Sequence, residues 1–139
     1  MINETSSVDE ATPSRRPVGD PTVSGSVGIR IGSSTFMATL SDNPTATTFK
    51  ARLPITLSMT GLNGNEKYAQ LPGRLPTSAV NPGTIQVGNL MLYGSSTLVL
   101  FYEMFRTSCA YTKLGRINDP SELATALGSG NVAVTFELE

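Results

Sequence analysis

The chain of 139 residues contains no histidine, no tryptophan and a single cysteine, Cys109. Without histidine it lacks the side chain best suited to general acid–base work near neutral pH. A thiol nucleophile at Cys109 has no imidazole to activate it, so the residue is read as a structural or surface thiol. One cysteine excludes an intrachain disulfide, and the fold must stand on its apolar core. A phosphate loop, a dinucleotide fingerprint, a zinc spacing and a calcium loop are all missing, so no cofactor and no metal are expected. Charge is scarce as well: 15% of residues, ten basic against eleven acidic, net −1. That balance offers no clustered basic footprint for nucleic acid. No apolar run approaches the roughly 20 residues of a spanning helix, so membrane insertion is not expected. Met1 does not open a basic-then-apolar signal segment. The compartment stays open, cytoplasmic as written or exported if a signal segment was removed. The oligomeric state stays open too.

What is present divides in two. Residues 1–26 are rich in Ser, Thr, Pro and acid, with two Arg and four acidic groups. Such a composition buries too little surface to offset its ordering entropy, and a flexible leader is expected there. Residues 27–139 are expected to form one domain, long enough to bury roughly 60 to 70% of the unfolded surface.

Val27, Ile29 and Ile31 alternate with small or polar residues, and after Gly32-Ser33-Ser34 so do Phe36, Ala38 and Leu40. This predicts a hairpin. Asp42 or Asn43 can cap a helix with Pro44 in its first turn, and Ala46, Phe49 and Leu53 lie on one stripe. Pro54 ends it. Ile55, Leu57 and Met59 predict a third strand, Gly61 to Asn65 a loop, and Glu66 to Leu71 a short strand. Pro72 to Gly83 is a long irregular connection of the kind that often lines sites. Leu90 to Tyr93 and Leu98 to Tyr102 are near-continuous apolar runs, which predict a central hairpin buried on both faces. Met104 to Ala110 reads as a loop and Tyr111 to Ile117 as a strand. Asp119-Pro120-Ser121-Glu122 has capping-box spacing ahead of a short helix through Leu123, Ala126 and Leu127, with Gly128 as its stop. Val132, Val134, Phe136 and Leu138 give the cleanest alternation in the chain. Seven or eight strands and two short helices suit a mainly β fold, a closed barrel capped at its ends.

Several of these stretches resemble cyclophilins. Asp42 to Ala46 through Phe49 to Leu53 looks like the first cyclophilin helix. Leu98 to Tyr102 sits where that family places an aromatic-rich strand. Leu114-Gly115-Arg116-Ile117, then Leu123 to Leu127, then Val132 to Leu138 is similar to the family's closing strand, helix and strand. Asn63 to Tyr68 and Asn81-Pro82-Gly83 look closer still to small bacterial cyclophilin-like proteins, which share the barrel and have no settled activity. The resemblance covers about residues 27–139. It implies a closed cyclophilin-like β-barrel of about eight strands with two short helices. It does not carry the catalytic set. Prolyl isomerisation in cyclophilins relies on an Arg beside a proline pocket lined by Phe, Gln and His. Here Ile55 to Thr60 contains no Arg, and the chain contains no His.

The candidate ligand-binding residues are Glu66, Tyr68, Phe101, Phe105 and Arg116. Glu66, Lys67 and Tyr68 set a charge pair and an aromatic beside a Gly-rich loop, either a ligand rim or an exposed strand end with a weak ion pair. Arg116 can pair with Glu66 or Glu103, or present its guanidinium to a ligand. Arg106 is the one candidate to replace the missing isomerase Arg. Tyr93, Phe101, Tyr102, Phe105 and Tyr111 cluster around the central hairpin, as barrel core or as the lining of an apolar groove. Alternation forbids Phe101 and Tyr102 from both pointing inward. The expected function is a non-catalytic module holding a peptide or small molecule, with no nucleic acid. The alternatives are a weak prolyl isomerase and a structural or oligomeric accessory domain.

Overall fold

The computed structural model describes residues 26–139. The expected leader, up to residue 25, lies outside the described residues. Ser26, assigned to that leader, already belongs to the first strand.

The elements run β1 (Ser26–Ile31), β2 (Ser34–Leu40), α1 (Pro44–Ala51), β3 (Ile55–Leu62), β4 (Glu66–Gln70), β5 (Thr84–Ile85), β6 (Asn89–Tyr93), β7 (Thr97–Phe101), β8 (Phe105–Arg106), β9 (Thr112–Ile117), α2 (Leu123–Leu127) and β10 (Val132–Leu138). Eight strands close a barrel in the order β1-β10-β3-β4-β7-β6-β9-β2, and β2 returns to β1. This is the mainly β, closed-barrel architecture with two helices that the pattern predicted. β5 and β8 pair separately as a two-stranded ribbon.

The barrel closes because each strand presents one apolar row inward. Ile29 faces Phe36 on β2 and Phe136 on β10, and Ile31 faces Val134. All of these are buried in one core with Leu57, Met59, Leu90, Leu92, Leu98, Leu100 and Leu114. α1 plugs the end at which β3 begins. Asn43, rather than Asp42, is its cap, its Oδ1 accepting from the Ala46 amide at 2.8 Å. Ala46 and Phe49 enter the core, and Phe49 meets Phe136 edge-on at 5.6 Å. α2 leads into β10, whose Val132 lies opposite Met59 toward the far end of β3. Leu123 and Leu127 plug that end.

Three local readings are corrected. Met104 to Ala110, read as a loop, contains the strand β8. The capping box at Asp119 to Glu122 does not form. Glu122 itself stands at the cap without a side-chain bond, and Asp119 accepts from Ser121. The chain first turns at Pro120, whose carbonyl accepts from Leu123, so the helix starts later than the spacing implies. β3 also runs on through Gly61 and Leu62, which were assigned to a loop. Gly61 pairs with Lys67 and Leu62 with Glu66. The connection is Asn63-Gly64-Asn65, with Asn63 and Gly64 at positive φ and the Asn65 amide donating to the Leu62 carbonyl.

Candidate functional site

The central hairpin is apolar on both faces, and the two faces have separate fates. Leu90, Leu92, Leu98 and Leu100 point into the barrel. Met91, Val99 and Phe101 point out and form a second, smaller cluster with Ile85 and Tyr111, against which Tyr68 and Phe105 pack. Alternation is therefore obeyed at Phe101 and Tyr102. Phe101 turns outward yet is fully buried, while Tyr102 packs partly on the barrel core.

Phe101 is buried because β5 and β8 lie over it. Ile85 pairs with Phe105 across that ribbon, and Phe105 approaches Phe101 at 5.5 Å. Tyr111, held by an isolated bridge to Val80, meets Phe101 edge-on at 5.5 Å and Tyr93 at 5.8 Å. These spacings fall in the range of favourable aromatic pairs. Beside the ribbon lies a groove of about 550 Å³. Tyr68, Tyr93, Phe105 and Tyr111 wall it, Val99 lies in its floor, and Asn65, Glu66 and Cys109 stand at its lining.

Glu66 is the polar centre. It is only 8% exposed and lies opposite Phe101 on β7. Burial raises its pKa above the ordinary 4.5. Burial also pushes the Tyr111 phenol up to about 12, reinforced by the negative charge of Glu66, with Thr107 hydrogen-bonding in the opposite sense. Asn65 adds a buried Oδ1 without a hydrogen-bond partner.

The expected Glu66–Lys67 charge pair does not form. Adjacent strand residues point to opposite faces, and Lys67 runs into the barrel, 1% exposed, where its Nζ donates to the Gly130 carbonyl. The structure thus gathers Glu66, Tyr68, Phe101 and Phe105 and leaves Arg116 apart. Arg116 is exposed on β9, opposite Thr39 and Asn89, and makes no ion pair with Glu66 or Glu103; the one ion pair among the described residues is Arg30–Glu137. It lines a different depression of about 640 Å³ with Lys113, Gln86 and Asn89. That space is larger but has no aromatic wall and no buried polar group to fix a ligand. Arg106 is exposed on β8 and lines neither groove. Sequence reasoning missed Asn65, although the Asn-Gly turn before it is a legible signal. It had Tyr93 and Tyr111 in the aromatic cluster without assigning them to the ligand set. No three His, Cys, Asp or Glu among the described residues are grouped to hold a metal ion, and no helix of the described residues is long and apolar enough to cross a membrane.

A closed eight-stranded barrel stoppered by two helices is a cyclophilin-like architecture. The model of the Cyclophilin-like family matches residues 29–137, and the chain belongs to that family. Its fold is similar to the solution structure of a hypothetical protein from Archaeoglobus fulgidus, with 18% identity and a TM-score of 0.57, over 84% of this chain and 96% of that one. That neighbour is archaeal, whereas the sequence pattern had suggested small bacterial relatives. No curated protein matches the chain.

Proposed function

We propose that this cyclophilin-like barrel is a binding module that holds a small ligand in the groove walled by Tyr68, Tyr93, Phe105 and Tyr111, without chemical conversion. The observation that carries the reading is the second apolar cluster outside the barrel. A barrel with a complete core does not need it for closure. Here it floors a concave space whose volume lies in the range of small-molecule sites. A few polar groups, Glu66 and Asn65 first, stand where they can orient what binds. The absence of histidine argues against acid–base turnover. Among the described residues no guanidinium lines this groove, which argues against the prolyl isomerase alternative, because the amide being twisted needs a donor.

Titration of ¹⁵N-labelled chain with a library of aromatic fragments tests the reading. Resonance shifts are expected at Tyr68, Tyr93, Phe105 and Tyr111. Shifts confined to Thr39, Asn89 and Arg116, or none at the groove, overturn it. A protease-coupled Xaa-Pro assay is expected to run at the uncatalysed rate. A rate above it, lost on Phe105→Ala, favours the isomerase instead.

A further inference from the structure

Resting on that reading of the groove, we propose that its ligand is a small primary amine. The ammonium donates to Glu66, and the apolar body lies on Tyr68, Tyr93 and Phe105. Four observations converge on this chemistry.

The first is an uncompensated acid. Among the described residues Glu66 is the only carboxylate lining the groove, it is largely buried, and no cation lines the groove with it. Its neighbour Lys67 is turned through the sheet to Gly130. A buried carboxylate without a partner is unfavourable, and a cation brought from outside relieves it. The second is the acceptor count. Glu66 brings two carboxylate oxygens to the groove, and such a pair calls for a group with several N–H bonds. A quaternary ammonium has none, and a primary ammonium has three. The third is the wall. Aromatic faces carry negative potential and attract cations, and here Tyr111 stands in the field of Glu66. The fourth is size. About 550 Å³ suits a small molecule rather than an extended chain.

Cys109 supplies the test in the unmodified chain. It is the sole thiol, it is exposed, and it lines the groove. Its rate of reaction with the neutral reagent methyl methanethiosulfonate is measured at pH 7.5 against increasing benzylammonium, benzyltrimethylammonium, benzyl alcohol and phenylacetate. Benzylammonium is expected to protect at a concentration about tenfold lower than benzyl alcohol, the discrimination one charge-assisted contact gives. Benzyltrimethylammonium is expected to be weaker than benzylammonium, and phenylacetate not to protect. Glu66→Gln is expected to shrink the amine preference over benzyl alcohol to within about twofold.

Equal protection by benzylammonium and benzyl alcohol overturns the amine and leaves the aromatic groove as a binding site. Stronger protection by the quaternary compound overturns the donor geometry. An acetyl-Gly-Lys-Gly amide that outcompetes benzylammonium overturns the small-molecule source and puts the amine on a polypeptide. Failure of every compound overturns both the amine and the groove reading.

Discussion

The two faces of the β4–β7–β6 sheet are made from similar apolar residues and serve different ends. Inward, Leu98 and Leu100 meet the rest of the barrel core. Outward, Val99 and Phe101 meet a ribbon of two residues per strand and a few rings. β4 shows the division most sharply. Lys67 goes in and caps its charge on a backbone carbonyl, while Glu66 goes out and meets no cation among the described residues. Alternation decides which side a residue joins. What covers that side decides whether it becomes core or site.

The widest gap between the faces is in stability. Leu100→Ala, on the inner face, is expected to cost about 2–5 kcal/mol by transfer and cavity terms. The urea midpoint should fall with little change in slope. A loss below 1 kcal/mol would mean that the interior is not packed as described. Lys67→Met comes next. Removing the ammonium leaves the Gly130 carbonyl without its donor, and a cost of about 1–3 kcal/mol is expected. A gain in stability would show the buried charge to be the heavier burden.

Glu66→Gln is expected to act in the opposite direction, and with pH. Burial raises the Glu66 pKa, so the folded chain holds that proton more tightly than the unfolded chain does. The cost of the carboxylate is full above the raised value. It fades as pH falls through that value to the ordinary 4.5 and below. The substitution should therefore raise the urea midpoint at pH 8 and change it little at pH 3.5. It should also let the Tyr111 phenol ionise below about 12, because one of the charges holding it up is gone. Absorbance at 295 nm reads this directly, and an unchanged titration would separate the two groups. The smallest stability effect is expected at Tyr93, which is 53% exposed on the outer face. Tyr93→Ala should stay within about 0.5 kcal/mol of the parent while weakening aromatic fragments several-fold in the same NMR titration. A large destabilisation would make the ring part of the core.

Much of the barrel was legible because its strands are long enough to carry a period. β1, β2, β10 and the central hairpin follow from alternation or from runs of apolar residues, and α1 follows from its cap, its stripe and Pro54. The groove was legible only in part. Phe101, Phe105, Tyr93 and Tyr111 are near in sequence, and the impossibility of burying both Phe101 and Tyr102 inside pointed to an outer face. The cover was not legible. β5 and β8 have two residues each, too few for a period, and they pair over a separation of about twenty residues, as does the Val80–Tyr111 bridge across a longer one. The side on which Arg116 lands was equally hidden, because it depends on the bulge that shifts β6 against β9 at Leu90 and Met91.

A crystal structure with bound benzylammonium decides the matter. The molecule should lie against Tyr68, Tyr93 and Phe105, with its nitrogen within hydrogen-bond distance of Glu66 and the β5–β8 ribbon still covering Phe101. Density instead beside Thr39, Asn89 and Arg116, with the aromatic groove empty at saturating ligand, would contradict the assignment of the outer face as the binding site.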